Sequence, residues 1–172
     1  MEVWAFDEHR VGLKPILRKV WSPKGERPVA DVHHRYEWTY VYGFVCPATG
    51  ETEWYILPRV NTDWLNEALK EFAQAVGACA EKRILLTIDG AGWHHSGRLE
   101  VPEGIHLEFL PPYSPELQPA ERLWSLTDEP LVNRCFDTIT MIEDILCQRC
   151  LIIANAMQEQ VRNLTNFHWW PA

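Results

Sequence analysis

Three acidic residues stand where a carboxylate could take part in chemistry. Asp7 lies in an alternating apolar stretch near the start of the chain, Asp89 ends an apolar run, and Glu121 follows a proline-rich run. Carboxylates that share a cleft raise one another's pKa and resist ionising together, and a divalent cation removes that repulsion. Mg²⁺ usually takes one or two carboxylates together with waters and phosphate oxygens. If the fold brings them together, the three residues therefore predict a site that holds Mg²⁺ or Mn²⁺.

Length and composition predict a single folded domain over residues 1–172. The chain has 172 residues, of which 47% are apolar, and this is enough to bury a substantial core. Its net charge of -8 argues against a protein that coats nucleic acid, because affinity for the phosphate backbone comes largely from Lys and Arg. DNA binding would then depend on bound metal ions or on a separate basic domain. Lys24 and Arg27 supply local positive charge, although a solvated turn is an equally open interpretation of them.

The cysteines and the apolar runs indicate a reducing compartment and no membrane partner. Five Cys form an odd, scattered set with no secretory signal ahead of them, so a disulfide framework is not expected. Cys147 and Cys150 have C-x-x-C spacing, but no second ligand pair accompanies them, and we interpret both as core thiols rather than zinc ligands. No apolar run approaches the length that spans a bilayer. We expect a cytoplasmic protein.

Hydrophobic periodicity predicts the elements that must position these residues. Alternation from Val3 to Glu8 predicts a first strand that begins almost at the first residue. Further strands are predicted over residues 16–21, 36–46, 53–57, 83–89 and 105–110, and helices over residues 65–76, 119–126 and 140–157. Thr140 with Glu143 can form a capping box at the start of the last helix.

The order of these elements predicts an α/β fold with a mixed sheet flanked by helices. The early strands form an antiparallel meander, and the later strand, helix, strand order implies parallel pairing. In such sheets the chemistry usually sits at the carboxyl ends of the parallel strands, and Asp89 ends one of them. Gly90 after it allows the backbone to turn tightly. Glu121 lies on the helix face opposite the stripe of Ala120, Leu123 and Trp124, so it can project away from the core.

Four stretches of the sequence resemble a known family. They are residues 6–8 (Phe-Asp-Glu), Trp21 with Lys24-Gly25 and Pro28, residues 88–94 (Ile-Asp-Gly-Ala-Gly-Trp-His) and residues 110–124 (Leu-Pro-Pro-Tyr-Ser-Pro-Glu-Leu-Gln-Pro-Ala-Glu-Arg-Leu-Trp). In these stretches the chain resembles the DDE-superfamily transposases of the mariner-like insertion-sequence branch, whose catalytic domain has a ribonuclease-H-like fold. The last stretch is the most specific, because a Tyr-Ser-Pro turn that leads into a proline-started helix with Glu and Trp has few accidental matches.

This resemblance implies that Asp7, Asp89 and Glu121 are catalytic, metal-binding carboxylates. It implies two Mg²⁺ or Mn²⁺ ions, phosphodiester hydrolysis, and DNA strand transfer at transposon ends. Alternation alone leaves Glu8 as an alternative to Asp7, since only one of the two lies on a given face, and the family pattern selects Asp7. We interpret Glu116 as a helix-entry carboxylate near the positive end of the helix dipole rather than as the third acid.

His94, Lys24 and Arg122 are candidates to bind the substrate. His94 resembles a family position beside the active site, where it would contact phosphate or orient a ligand. A hydrogen-bonded structural His is an equally open interpretation. His33 and His34 have no such support and are expected at the surface.

The chain departs from the family pattern at several points. Gly90 and Gln118 stand where many relatives have Asn, and the segment between Asp89 and Glu121 is a little short. These changes leave the three acids intact. The N-terminal helix-turn-helix region that recognises terminal repeats in relatives has no counterpart in this sequence.

The resemblance also implies partners and a location. The partners would be DNA, as transposon ends and target, and a separate helix-turn-helix DNA-binding polypeptide, with the protein acting as a dimer on DNA in the cytoplasm, associated with the nucleoid. Two alternatives stay open, another ribonuclease-H-like nuclease and a catalytically inactive assembly domain. The proline-rich approach to Glu121 favours the transposase.

Overall fold

A five-stranded mixed sheet forms the centre of the fold. A computed structural model describes residues 1–29 and 35–171 of the chain. The strands are Glu2–Gly12 (β1), Trp38–Cys46 (β2), Glu51–Leu57 (β3), Ile84–Ile88 (β4) and Ile105–Phe109 (β5). The helices are Thr62–Val76 (α1), Trp124–Thr127 (α2), Ile139–Ala156 (α3) and Gln158–Thr165 (α4), with two short 3₁₀ helices, Pro115–Leu117 and Pro119–Leu123.

The central strand, β1, joins the two halves of the sheet, whose strand order is β3-β2-β1-β4-β5. It pairs antiparallel with β2, which pairs antiparallel with β3. It pairs parallel with β4, which pairs parallel with β5. The predicted combination of an antiparallel meander with parallel strands is confirmed. Ala5 is the partner of Thr87 in the parallel ladder, and two residues further along each chain this register brings Asp7 level with Asp89.

Helix α1 covers one face of the sheet. It begins at the N-cap Asn61, whose side chain accepts a hydrogen bond from the backbone N–H of Trp64 at 2.8 Å. It ends at Gly77, whose φ of 67° is the left-handed conformation that closes many helices. On its buried side the ring of Phe72 meets the ring of Trp4 edge to face, with centroids 5.1 Å apart. This packing anchors the α1 face of β1.

The remaining helices cover the opposite face. Ala120 and Leu123, from the 3₁₀ helix Pro119–Leu123, form one core cluster with Ala5 and Val45 of the sheet, and α3 and α4 complete it. Side chains along a strand alternate between the two faces. Each residue of β1 therefore faces either α1 or the layer that contains the 3₁₀ helix and α3.

The strand predicted over residues 16–21 is wrong. That segment forms no regular secondary structure. Its backbone bonds to a loop rather than to a strand: the carbonyl of Ile16 accepts from the N–H of Asn133 at 2.9 Å, and the N–H of Arg18 donates to the Asn133 side chain at 2.9 Å. Trp21 is fully exposed. The apolar pattern predicted a strand because periodicity does not report whether a partner strand is within reach.

Two helices begin differently from their predictions. Thr138, and not Thr140, is the N-cap of α3, since its side chain accepts from the N–H of Met141 at 3.4 Å. Thr138 has the extended backbone that an N-cap requires, whereas Thr140 is already inside the helix. The helix predicted from Pro119 begins as a 3₁₀ helix and becomes α-helical only at Trp124.

Two smaller expectations have mixed outcomes. Cys150 is buried, as predicted, whereas Cys147 is exposed, so only one of the C-x-x-C pair is a core thiol. His33 and His34, which are expected at the surface, lie outside the described residues.

Among the residues that the structure describes, no helix has the length and apolar composition needed to cross a lipid bilayer.

Candidate active site

The three predicted carboxylates line one cavity. Its volume is about 630 Å³, and Asp7, Asp89 and Glu121 all contribute to its lining. Asp7 lies within β1, Asp89 directly follows β4, and Glu121 lies in the second 3₁₀ helix. The rest of the lining comes from residues 90–91, His95, residues 109–115 and Gln118. Three segments that are far apart in the sequence thus bring acids to the same cavity.

Asp7 is a partly buried acid that forms no ion pair with any basic side chain in the described part of the chain. The indole Nε1–H of Trp124 donates to Asp7 Oδ2 at 3.0 Å, and the backbone N–H of Glu8 donates to Oδ1 at 2.9 Å. Burial raises the pKa of Asp7 to about 7 against the effect of the Trp124 hydrogen bond, and the charges of Glu8 and Glu121 add to the rise. No Lys or Arg of the described residues forms an ion pair with Asp7. A divalent cation would supply the positive charge that this carboxylate lacks.

Asp89 is a more exposed acid that its own loop holds in place. Its Oδ1 lies 2.7 Å from Nδ1 of His94 and accepts from the backbone N–H of Ala91 at 3.1 Å. The hydrogen bond from His94 lowers the pKa of Asp89, and partial burial opposes this change. Asp89 is therefore ionised at neutral pH, beside an Asp7 whose pKa lies near 7.

A buried network on the α1 face of β1 fixes His94, whose side chain is only 1% exposed. Its Nε2 lies 3.1 Å from Oε1 of Glu8, and the same oxygen accepts from Nε1–H of Trp93 at 3.1 Å. Burial by itself lowers the pKa of His94, but the hydrogen bonds to Asp89 and Glu8 outweigh it and raise the pKa to about 10. The protonated ring donates to one carboxylate on each side. His94 thus connects Glu8 of the central strand to Asp89 in the cavity.

Glu121 projects from a 3₁₀ helix that is attached to β1. Its neighbour Ala120 is fully buried, whereas Glu121 itself is exposed. The buried side chain of Gln118 donates from Nε2 to the carbonyl of Phe6 at 2.9 Å and accepts through Oε1 from the N–H of Ala120 at 3.4 Å. Burial raises the pKa of Glu121, and the charge of Asp89 adds to the rise. Gln118 therefore sets the position of the third acid relative to the central strand.

The three acids act on one another electrostatically. The charge of Glu121 raises the pKa of Asp7, and the charge of Asp89 raises the pKa of Glu121. Within the described residues, no group of three His, Cys, Asp or Glu side chains converges closely enough to hold a single metal ion. Mg²⁺ commonly takes only one or two protein carboxylates, so ions shared between pairs of acids fit this donor set. The role of the three acids as metal ligands stays a prediction.

The other predicted site residues do not line this cavity. His94 is buried behind it, and Lys24 is exposed in the segment that follows β1. Arg122 is exposed and places its guanidinium 5.6 Å from the centroid of the Phe167 ring. Glu116, which we distinguished from the third acid, also lies outside the lining. The substrate-binding roles of His94, Lys24 and Arg122 stay predictions.

Sequence reasoning named His94 as a residue beside the active site but not its partner Glu8, and it did not find the hydrogen bond from Trp124 to Asp7. Trp124 is 117 residues from its acceptor Asp7, and His94 is 86 residues from Glu8. No local pattern reports contacts over such separations. The one available signal is the spacing of Glu121 and Trp124, because residues three apart on a helix lie on neighbouring positions of its surface.

The lining of a second, smaller cavity includes a basic side chain, Arg10, that the sequence analysis did not single out. Its volume is about 260 Å³, and Asp7 and Asp89 line it as well as the larger cavity. Arg10 is the one Lys or Arg of the described residues that lines either of these two cavities. Its guanidinium lies 4.5 Å from the centroid of the Trp38 ring. Arg10 is two residues beyond Glu8, which lines the same cavity, so alternation along β1 puts both on one face of the sheet, and this spacing is the signal that could have indicated Arg10.

Comparison with known proteins identifies the family. Residues 2–143 match the family described as DDE superfamily endonuclease. The chain belongs to this family, and the predicted membership of the DDE superfamily is confirmed. A relative, the uncharacterized protein y4pE/y4sA of Sinorhizobium fredii (strain NBRC 101917 / NGR234), is 40% identical over 114 residues, which cover 66% of this chain and 81% of the relative.

The fold is similar to that of solved structures of the Mos1 mariner transposase. The paired-end complex with Mg gives a TM-score of 0.67 at 16% identity, over 96% of this chain and 51% of that one. The paired-end complex with Mn gives a TM-score of 0.63 at 15% identity, over 96% of this chain and 54% of that one. The isolated Mos1 catalytic domain gives a TM-score of 0.51 at 13% identity, over 98% of this chain and 84% of that one. The ribonuclease-H-like fold is therefore confirmed, and the chain spans about half the length of the transposase chains in the two complexes.

The indole of Trp124 generates a first prediction, because Trp124→Phe removes the donor to Asp7 Oδ2. We expect the free energy of unfolding to fall by about 1–3 kcal/mol, since a hydrogen bond to a charged group is lost. We expect endonuclease activity to fall about 10–100-fold if Asp7 is the metal ligand that the sequence predicts, since one of its oxygens is then no longer oriented. Equilibrium unfolding in urea and a DNA cleavage assay measure the two effects.

Trp54→Phe is the matched control for this variant. The Trp54 ring contacts the Trp124 ring edge to face, with centroids 6.3 Å apart, but its Nε1–H donates to Thr52 at 2.8 Å rather than to an acid. It should therefore lose a comparable amount of stability and keep its activity. Equal losses of activity in both variants would contradict an orienting role for Trp124.

The Glu8 network generates a second prediction. Glu8→Leu leaves the donors of Trp93 and His94 without an acceptor, and breaking a buried ion pair in this way costs about 3–5 kcal/mol of unfolding free energy. Glu8→Gln keeps an acceptor oxygen and should lose less. Glu67→Leu removes an exposed acid that lies 3.6 Å from Lys70 and should change stability by less than about 1 kcal/mol. Urea unfolding compares the three variants, and a Glu8→Leu protein as stable as the Glu67→Leu control would refute this role of Glu8.

Proposed function

We propose that this protein is the catalytic part of a DNA transposase, which hydrolyses phosphodiester bonds at transposon ends and then transfers the DNA 3′ end to a target strand. The observation that carries the proposal is the single cavity lined by Asp7, Asp89 and Glu121. Membership of the DDE superfamily of endonucleases supports it. The Mos1 transposase, which has a similar fold, has been solved as a pre-cleavage transpososome and as a strand transfer complex.

We propose two Mg²⁺ or Mn²⁺ ions as the cofactor, held by the same three acids. Mos1 paired-end complexes have been solved with Mg and with Mn. The donor set fits such ions, because all three groups are carboxylates and, within residues 1–29 and 35–171, no basic side chain offsets the charge of Asp7. When bound, the ions would supply Lewis-acid polarisation of the scissile phosphodiester and stabilise the developing charge.

The protein's own groups orient the acids before substrate binds. Trp124 fixes Oδ2 of Asp7, and His94 with the N–H of Ala91 fixes Oδ1 of Asp89. Among the described residues, no group donates a hydrogen bond to Asp89 Oδ2 or to the Glu121 carboxylate. These oxygens are therefore open to ligands. An acid that is already oriented loses less freedom when the site assembles, and this favours a precise geometry at the scissile bond.

DNA is the proposed partner, and the charge of the protein limits how DNA binds. A net charge of -8 gives little affinity for the phosphate backbone. We therefore assign sequence-specific binding to a separate helix-turn-helix polypeptide and assign catalysis to a dimer on DNA, consistent with the paired-end complexes of Mos1. Such an assembly would work in the nucleoid of the cytoplasm.

The acids generate a third prediction. Asp89→Asn and Glu121→Gln each remove one negative charge and keep the shape of the side chain. Because orienting residues alone change metal affinity or activity by 10–100-fold, loss of a ligand should reduce Mg²⁺-dependent cleavage by more than about 100-fold. Calorimetric titration with Mn²⁺ should show weaker binding in both variants, while circular dichroism stays like that of the wild type.

Glu116→Gln is the matched control for Glu121→Gln. Glu116 is exposed and lies five residues earlier, outside the cavity. Its variant should cleave DNA nearly as well as the wild type. Wild-type cleavage by Asp89→Asn protein would defeat the assignment of the acids, and absence of Mn²⁺ binding by the wild type would favour an inactive assembly domain.

Strand transfer separates a transposase from another ribonuclease-H-like nuclease, and this is a fourth prediction. A labelled duplex that ends in a 3′-hydroxyl, taken from the DNA flanking this reading frame, is incubated with supercoiled plasmid, Mn²⁺ and the protein. A transposase uses the 3′-hydroxyl as the nucleophile and joins the label covalently to the plasmid. Nicking of the plasmid without joined product would favour the simple nuclease.

A further inference from the structure

Three aromatic rings line the cavity beside the acids. We name His95, Phe109 and Tyr113 the aromatic wall, since all three belong to the cavity lining. The rings of His95 and Phe109 are stacked, with centroids 4.3 Å apart and an interplanar angle of 26°. Phe109 is 38% exposed and Tyr113 is 100% exposed. The aromatic wall is therefore accessible from solvent and is not a part of the hydrophobic core.

Tyr113 has a backbone conformation that favours glycine. Its φ is 58°, in the left-handed region that side chains with a Cβ rarely adopt. The side chain is fully exposed, so no packing compensates for this conformation. Backbone strain of this kind clusters at active sites and ligand-binding segments. A glycine would serve the fold at least as well, so the ring at position 113 serves a purpose other than folding.

The charges around the cavity restrict what the aromatic wall can bind. The described residues that line the larger cavity include the three acids but no Lys or Arg. The wall itself offers no Lys or Arg to pair with a phosphate, whereas a nucleobase is neutral and planar and needs no such partner. Bases stack on exposed aromatic side chains largely without regard to sequence. The base is therefore the part of a nucleic acid that fits this wall.

We propose that the aromatic wall stacks one unpaired base of the DNA strand whose phosphate lies at Asp7, Asp89 and Glu121. The inference rests on the proposed function, because it takes DNA as the occupant of the cavity. A base presents its flat face to a side chain only when it leaves the duplex stack. The cavity volume of about 630 Å³ is within the range of roughly 300–1,000 Å³ that small-molecule sites span. Tyr113 is the principal contact, because it is the most exposed ring of the three.

The fluorescence of 2-aminopurine, a base analogue that stacking quenches, tests the inference. A single-stranded oligonucleotide carries one analogue, at each position in turn, with Ca²⁺ in place of Mg²⁺ so that binding is measured without cleavage. Wild-type protein should quench the analogue at one or two positions. Tyr113→Leu, which keeps an apolar side chain without an aromatic face, should lose the quenching and bind about 5-fold or more weakly. Tyr113→Phe should keep both.

Two further variants separate ligand binding from folding. Tyr36→Leu alters another tyrosine, 76% exposed and outside the cavity, and should change neither quenching nor affinity. Tyr113→Gly removes the ring and relieves the backbone conformation. Its midpoint of thermal unfolding should not fall, whereas its affinity for the oligonucleotide should fall as in Tyr113→Leu.

The outcomes distinguish this inference from the proposed function. Quenching by Tyr113→Leu equal to that of the wild type, or loss of quenching in Tyr113→Phe, would overturn the stacking. Wild-type protein that cleaves DNA without quenching the analogue at any position would overturn the stacking alone. Wild-type protein that quenches the analogue but never cleaves DNA would support the stacking and overturn the transposase.

Discussion

The site depends on two adjacent carboxylates of the central strand. Because side chains alternate along a strand, Asp7 and Glu8 lie on opposite faces of the sheet and meet different partners. Glu8 meets the buried, protonated ring of His94, which offsets its charge within the protein. Of the residues that the structure describes, Asp7 meets only neutral donors, the indole of Trp124 and a backbone N–H. One charge is thus paired inside the fold, and the other has no oppositely charged partner among the described residues.

The same packing that stabilises the fold fixes the acids. Gly43 of β2 is the partner of Asp7 in the antiparallel ladder, and a Cβ at this position would lie 2.9 Å from the ring of Trp124. Absence of a side chain at Gly43 therefore lets the indole lie close to the sheet and reach Asp7. On the adjoining segment, Gln118 bonds to the carbonyl of Phe6 and attaches the 3₁₀ helix to β1. A substitution that alters this packing would consequently move one of the acids.

Much of this arrangement could be predicted from periodicity and from local chemistry. The strands with two-residue alternation or a short apolar run form where they are expected, because a nearby strand completes each ladder. The segment over residues 16–21 has a similar pattern but pairs with no strand of the described chain, so the same reasoning was wrong there. Gln118, which departs from the Asn of many relatives, still satisfies both ends of its amide. The sequence alone did not show that this departure is accommodated, since the acceptor at Phe6 is 112 residues away.

By itself the sequence determined the family and the order of most helices and strands, and it singled out three acids that line one cavity. These follow from residue types, local spacing and short motifs, which are properties of neighbouring residues. Only the tertiary structure decided that His94 is a buried link between Glu8 and Asp89, that Trp124 orients Asp7, and that the aromatic wall borders the acids. One of these hydrogen bonds joins residues that are 86 positions apart, and another joins residues that are 117 positions apart. Such bonds depend on strand register and on how the layers pack. No local propensity encodes either of these.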